Sequence, residues 1–281
     1  MPSPDEIDAR RTEFRKLHES GCFVLPNPWD VGTARYLQHL GFPALATTSG
    51  GFAFSRGLPD TDAAVPVDLV LEHVTEIVGA TGLPVNADFQ SGFAPDADGV
   101  AANVVRCAAT GVAGLSIEDL SGDGAAPLHP LDVAVDRVRA ARAALDGAPG
   151  RDAQVLLTAR TECYLVGVDD PLAVARERLT AFAEAGADVL YAPGVTAPDE
   201  IRALVGAVAP RPVNLLVSGD IGLSVDDLAA LGVRRISVGS ALARAAWGGV
   251  VRAATALAEQ GSFAGLDGGA PYRDLNRLFD G

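Results

Sequence analysis

The chain has 281 residues, 48% of them hydrophobic, enough for one large buried core. Its 22 Lys and Arg stand against 36 Asp and Glu, a formal charge of −14, which argues against a nucleic-acid groove or an anionic membrane surface as the main partner. The three scattered cysteines, the absence of an apolar segment in the opening "MPSPDEIDARRTEF", and the lack of any apolar run near the roughly 20 residues that span a membrane argue for a reducing cytoplasm, with no disulfide framework, structural zinc or signal peptide.

Residues 4–20 read as an amphipathic helix. Short apolar or β-branched runs then recur at 22–26, 44–49, 84–89, 114–118, 154–160, 188–193, 212–218 and 234–239. Between them lie helical patterns at 30–40, 66–81, 97–110, 130–146, 171–185, 197–209 and 224–231. Four of the helices close on similar phrases, "LGFPAL", "TGLPVN", "TGVAGL" and "AGADVL", each read as a C-cap glycine leading into the next strand. Eight strand–helix units with parallel strands predict a (β/α)₈ TIM barrel rather than an open doubly wound sheet, whose first turn would carry a Gly-rich dinucleotide motif. The first turn here is "PNPWDVGTA". A long Ala-rich helix over 240–260 and a further short helix form a C-terminal extension, and no linker divides 1–281 into more than one domain.

Barrel enzymes place chemistry at the C-terminal strand ends. Strand one ends at Asn27, with Trp29 in its loop, and strand two at Ser49, followed by Gly50 and Gly51. Strand three ends at Asp88, with Gln90 just beyond, strand four at Glu118 and Asp119, and strand five at Arg160, followed by Glu162. Neighbouring strands lie about 5 Å apart, so Asp88 and Glu118 would repel unless a proton or a cation lies between them. Mg²⁺ fits, because it is held by few carboxylates together with waters and substrate oxygens. Arg160 can pair bidentately with a substrate carboxylate, and the amides of "SGG" can cradle a second anionic group. Alone, each acid would more often cap the following helix than bind a ligand; acids at two adjacent strand ends with an arginine at a third make the stronger signal. Cys163 reads as an apolar filler, and His18, His39 and His73 as surface or packing residues, whereas His129, in the loop after strand four, can reach the site.

Five stretches carry a resemblance: "VLPNPWDVGTARYLQHLGFPALATTSGGFAFSRGLPD", "LPVNADFQSGFA", "GLSIEDLSGD", "VLLTARTECYLVG" and "AGADVLYAPG". In this order, over roughly residues 20–260, they resemble the phosphoenolpyruvate mutase/isocitrate lyase superfamily. The resemblance implies a Mg²⁺-dependent enzyme and a final helix exchanged within a homodimer or homotetramer. It implies substrate contacts from Trp29, Ser49, Gly50, Gly51 and Arg160. Asp88 and Glu118 would be metal donors, and Asp60 and Gln90 would be partners of the metal through water. Gln90 stands where the family pattern D-x-D-x-G-x-G has its second acid. The loop "DLSGDGAAPLHP" lacks the lyase Cys and the mutase Lys and Asn, so His129, Asp123 or a bound water would have to supply proton transfer; His129 is the loop's one group that titrates near neutral pH, and a lid is the favoured role for the loop. The implied activity is a lyase or decarboxylase that cleaves a C–C bond in a small 2-oxo or 2-hydroxy di- or tricarboxylate. The alternatives are a C–P enzyme of the phosphonopyruvate hydrolase or mutase type, or a non-catalytic binder of 2-oxo acids.

Overall fold

The computed structural model describes residues 2–147 and 154–280. Its strands are β1 (Phe23–Leu25), β2 (Leu45–Ala46), β3 (Val85–Asp88), β4 (Gly114–Glu118), β5 (Leu156–Arg160), β6 (Val189–Tyr191), β7 (Val213–Leu216) and β8 (Arg235–Ser237). They form one eight-stranded parallel sheet in the order β1-β8-β7-β6-β5-β4-β3-β2. The remaining seam, between β1 and β2, is held by the Ala46 N–H donating to Pro26 O at 3.1 Å and by Asn27 Nδ2 donating to Thr47 O at 2.8 Å. Asn27 Oδ1 also accepts the N–H groups of Val238 and Gly239, each at 2.9 Å, so this one amide ties the ends of three strands together. The strand run ends there because Pro26 and Pro28 have no N–H for a ladder. This is the predicted (β/α)₈ barrel.

The helices are α1 (Pro4–Leu17), α2 (Val31–His39), α3 (Ser49–Ser55), α4 (Val67–Ala80), α5 (Ala97–Ala109), α6 (Leu131–Gly147), α7 (Pro171–Glu184), α8 (Pro198–Val208), α9 (Val225–Ala230), α10 (Ala241–Gln260) and α11 (Tyr272–Phe279). Most starts follow from local chemistry. Ser3 with Glu6, Asp30 with Thr33, and Ser224 with Asp227 form capping boxes, and Asp96 and Asp170 cap α5 and α7. Of the four repeated phrases, three end on a left-handed glycine: Gly41, Gly111 and Gly186. The fourth does not. At Thr81 the chain turns extended, and Gln38 Oε1 accepts the Gly82 N–H at 2.7 Å in place of a helix C-cap.

Strand two is shorter than its sequence pattern, and its tail becomes α3. The Thr48 hydroxyl accepts the Gly51 N–H at 3.2 Å, and burial of Phe52 and Ala53 outweighs the poor helix propensity of two glycines. At the opposite, N-terminal end of the barrel, α1 lays Phe14 against Phe23, Leu25, Ala44, Ala46, Ala113 and Leu156 and closes that end. His18 continues the plug: Nδ1 donates to Phe14 O at 2.7 Å, leaving Nε2 to accept from Arg235 Nη1 at 3.5 Å. That tautomer is neutral, and burial followed by the charge of Arg235 lowers the pKa of His18 to about 3. Among the described residues, α1 thus covers the N-terminal end of the barrel and leaves the C-terminal end for a site.

The extension behaves differently. Along the 20 residues of α10 only Ala243 is buried, while Trp247, Val250, Val251 and Leu257 are exposed. Helix α11 lies along α2, with the Phe279 ring facing Gly32.

Candidate active site

The parallel register brings the strand-end residues together: Asp88 stands opposite Ser116, and Glu118 opposite Arg160. The Arg160 guanidinium lies at the centre. Nε pairs with Glu162 at 2.5 Å, Nη1 with Asp88 at 3.1 Å and Nη2 with Glu118 at 3.3 Å, over the ring of Tyr191, whose centroid is 5.2 Å away. Burial works against the charge of Arg160, but these three carboxylates outweigh it and hold the guanidinium charged. Sequence reasoning gave Glu162 no role. Its signal is its place two residues beyond the strand-end arginine, where it can reach back to Nε.

Asp88 Oδ2 accepts the Ser49 N–H at 3.0 Å at the start of α3. Asp60 Oδ2 accepts from the Ser49 hydroxyl at 3.4 Å, and Asp60 Oδ1 from Gln90 Nε2 at 3.4 Å. Gln90 is buried and adopts φ 42°, a conformation uncommon for a side chain of its length. The Asp60 carboxyl is pushed up by burial and then by the charge of Asp88. Glu118 is pushed well up by burial, with Glu162 and Asp88 adding to the shift and Arg160 opposing it.

Two connected chambers open here. The inner one, about 200 Å³, is lined by Asn27, Ser49, Gly50, Asp60, Asp88 and Arg160 above, and by a polar layer of Asn86, Ser116, Asn214, Ser237 and Arg235 deeper in the barrel. Sequence reasoning missed this layer. Its signal is the period of two, which points Asn86 inward with Asp88, and Arg235 inward with Ser237. Arg235 is buried and bonds Asn214 Oδ1 at 2.7 Å and Thr158 Oγ1 at 3.1 Å. The outer chamber, about 1020 Å³, shares Ser49, Asp60, Arg160 and Leu165 with the inner one and continues past Gln90, Glu118 and Glu162 to the loop that carries His129.

The residues expected to hold substrate divide. Ser49, Gly50 and Arg160 line the inner chamber. A Cβ on Gly50 would lie 2.9 Å from Asp60 Oδ2, so glycine is what lets that acid approach. Gly51 and Trp29 line neither chamber. Gly51 is confined between Thr48, Trp29 and Ala243, where a Cβ would meet Thr48 Cγ2 at 2.6 Å, and its N–H is taken by Thr48. His129 lines the outer chamber only. Its backbone is pinned by its N–H to Asp119 O at 2.9 Å and by Arg178 Nη2 to its carbonyl at 2.9 Å, and burial, then Arg137, lower its pKa.

The donor set fits a divalent cation. Asp60, Asp62, Asp88, Glu118 and Glu162 crowd the two chambers against Arg160 and Arg137, an excess of negative charge that a hard cation would offset. Among the described residues no three His, Cys, Asp or Glu side chains come together closely enough to hold an ion alone. An ion bound here would have to complete its shell with water and substrate oxygens, which is the usual habit of Mg²⁺.

A family model described as phosphoenolpyruvate phosphomutase matches residues 14–258. The chain belongs to that family. A lyase/mutase candidate from Burkholderia cenocepacia J2315 superposes with TM-score 0.91 at 46% identity, over 99% of this chain and 98% of the other. An uncharacterized protein of Mycobacterium tuberculosis is 31% identical over 95% of this chain and 96% of its own length. An oxaloacetate decarboxylase of Bradyrhizobium is 30% identical over 96% and 89%. Oxaloacetate acetylhydrolase in complex with its product oxalate superposes with TM-score 0.82 at 27% identity, over 97% and 93%. The superfamily is one of enzymes that includes lyases, mutases and decarboxylases, and this family member is an enzyme of that superfamily.

Proposed function

We propose that the protein is a Mg²⁺-dependent lyase or decarboxylase that cleaves a C–C bond in a small 2-oxo or 2-hydroxy di- or tricarboxylate. The observation that carries the reading is Arg160 set among Asp88, Glu118 and Glu162 at the mouth of a chamber of about 200 Å³. Asp88 and Glu118 would hold the ion, with Asp60 and Gln90 supporting it. When bound, the ion supplies Lewis-acid stabilisation of the negative charge that develops on the 2-oxo oxygen.

The chain's own residues do the rest. Glu162 fixes Nε of Arg160, and Nη1 and Nη2, which contact Asp88 and Glu118, each carry a second proton for a substrate carboxylate. Ser49 and Gly50 confine the acid from the β2 side, and the polar floor of Asn214 and Ser237 offers donors to its deeper oxygens. Decarboxylation of a 2-oxo acid releases CO₂ and leaves the electron pair on the 2-oxo acid fragment. Cleavage of a 2-hydroxy acid instead begins with loss of its hydroxyl proton, turns that fragment into a 2-oxo acid and leaves the pair on the other fragment. In either case a proton must then reach the carbon that keeps the pair. The loop that carries His129 has no lyase Cys, and its pinned backbone suits a wall and lid, so water in the outer chamber delivers that proton.

A second copy of the chain would cover the exposed apolar side chains of α10 and α11, giving a homodimer or homotetramer. No helix among the described residues is long and apolar enough to cross a membrane, and Cys22, Cys107 and Cys163 are free, in keeping with work in a reducing cytoplasm.

The test is a panel of oxaloacetate, 2-oxoglutarate and 2-hydroxy tricarboxylates with Mg²⁺ or with chelator, assayed for release of pyruvate, glyoxylate or CO₂. Chelator-sensitive release from one acid supports the reading. Turnover that is indifferent to chelator, or tight binding of these acids without turnover, removes it.

A further inference from the structure

The inner chamber carries a positive charge that the proposed chemistry leaves without a partner. Among the described residues four charged groups line it: Asp60, Asp88, Arg160 and Arg235. Arg160 is taken by Asp88, Glu118 and Glu162. Arg235 is enclosed deeper in the barrel, and its acceptors are all neutral: Asn214 Oδ1 at 2.7 Å, Thr158 Oγ1 at 3.1 Å, Asn86 Oδ1 at 3.4 Å and His18 Nε2 at 3.5 Å. Burial lowers its pKa to about 10, and the group that opposes burial is the Tyr191 phenol, with no carboxylate beside it. A buried guanidinium without a counter-ion is costly. An anion in the chamber above it would offset that cost.

The hydrogen bonds of Arg235 lead toward that chamber. A guanidinium cannot accept, so Asn214 presents Oδ1 to Nε, and its Nδ2 then donates to Ser237 Oγ at 3.0 Å. With that bond accepted, the Ser237 proton is left for another acceptor. Arg235 and Ser237 share the inward face of β8, because Ile236 between them packs outward into the main core. Ser237 is the one nearer the C-terminal end of the strand; it keeps 6% of its surface and lines the inner chamber. Bonds that run one way from a cation polarise one another, so the Ser237 hydroxyl is the tip of a donor chain from Arg235 through Asn214. The Tyr191 phenol stands beside it as a second donor, its pKa pushed up to about 12 chiefly by burial. Arg235 itself touches no ligand. It acts through this tip and through its field, which is weakly screened in a chamber of about 200 Å³.

We propose that Arg235, acting through Asn214 and Ser237, makes the deep end of the inner chamber a seat for a second carboxylate, so that the protein selects dianionic acids over monoanionic acids of the same size. This rests on the reading of the inner chamber as the seat of the 2-oxo or 2-hydroxy acid. One end of the acid lies by Asp88 and Arg160, and its other carboxylate accepts from the Ser237 hydroxyl. Arg160 and Ser237 line the same small chamber, so a short diacid meets both. Arg235 is a positioning residue and takes no part in bond cleavage.

Titration calorimetry compares lactate with tartronate, three-carbon 2-hydroxy acids that differ by a methyl group in the first and a carboxylate in the second. Mg²⁺ is held in the same excess throughout, so complexation in solution cancels between variants. Tartronate should bind the native protein about 10- to 100-fold more tightly than lactate. Asn214→Asp keeps the side-chain shape, gives Arg235 the carboxylate it lacks and draws the Ser237 proton away from the chamber. Its preference for tartronate should shrink below about threefold, with lactate affinity within about twofold of native and Tm unchanged or raised. Ser237→Ala removes the tip and should lose part of the preference; combined with Asn214→Asp it should lose no more than Asn214→Asp alone, since both changes break one chain. Equal affinity of the two acids for the native protein overturns the proposal and leaves the reading of the chamber standing. So does an Asn214→Asp protein that keeps the native preference while its Tm shifts, which would make Arg235 a structural residue only. If Asn214→Asp does not fold, an undiminished preference in Ser237→Ala overturns it. Absence of Mg²⁺-dependent binding of either acid would instead remove the reading of the chamber, and the proposal with it.

Discussion

Replacing Asp88 by Asn separates a metal donor from a structural counter-ion. The substitution removes one charge and keeps the shape. Native Asp88 accepts the Ser49 N–H at 3.0 Å and Arg160 Nη1 at 3.1 Å, and losing a charge-assisted contact of the second kind costs about 1.5–3 kcal/mol. The cost is reduced here because Arg160 is not left bare: Glu118 at 3.3 Å and Glu162 at 2.5 Å still pair with it. A gain of opposite sign also appears, since the charge of Asp88 works against ionisation of Asp60 and Glu118 and that repulsion goes with it. The two effects leave folding stability within about 1 kcal/mol of native, a Tm change of about 2–4 °C for a chain of this size. Binding of Mg²⁺ has no such compensation. One of its two charged donors is lost, and affinity should fall by at least about 100-fold. Thermal unfolding and calorimetric titration of Mg²⁺ in the presence of oxalate measure both quantities on one sample. A Tm that drops by more than about 10 °C while Mg²⁺ affinity holds would refute the reasoning and make Asp88 a helix cap and partner of Arg160 only.

Gln90→Asp should tighten Mg²⁺ binding by about 10-fold, because it adds a charged donor beside Asp60 and because Asp tolerates the left-handed φ of 42° better than Gln; unchanged or weaker binding in calorimetry counts against an ion at this place. His129→Asn should leave kcat within about threefold of native if the loop is a lid, whereas a loss of about 10²–10⁴-fold, together with disappearance of a His-like inflection from the pH–rate profile, would make His129 the acid or base. His18 has a folded pKa of about 3 against 6.5 unfolded, so below pH 6.5 the unfolded chain binds the extra proton and stability falls with pH, by about 2 kcal/mol between pH 7 and pH 5 from this group alone. Urea midpoints at the two pH values should show that slope in the native protein and a shallower one in His18→Phe, and equal slopes would contradict the neutral tautomer. Trp247→Asp with Val251→Asp should convert an assembly into monomers by light scattering, and a native protein that is already monomeric at micromolar concentration would remove the helix exchange.

Much of this protein is legible in its sequence because the relevant physics is local. Period-two runs, capping residues such as Ser3, Asp30, Asp96 and Ser224, and the left-handed glycines Gly41, Gly111 and Gly186 mark the ends of the units, and eight such units in alternation select the barrel. The rule that chemistry sits at C-terminal strand ends then isolates Asp88, Glu118 and Arg160, and parallel register brings those three residues within reach of one another. What the tertiary structure decided lies in contacts between distant segments. Ser49 to Gly51 start a helix instead of ending a strand, because Thr48 caps them and Phe52 finds a buried place beneath α4. Trp29 and Gly51 pack behind the site, His129 stands in the outer chamber, and Glu162 turns back onto Arg160. Arg137 holds the carbonyls of Ser91 and Ala94, more than 40 residues away in the chain, and two of its nitrogens have no partner among the described residues, which could not be read from an ordinary amphipathic helix. Periodicity fixes which face a side chain takes, whereas hydrogen-bond satisfaction depends on every neighbour that folding brings to it.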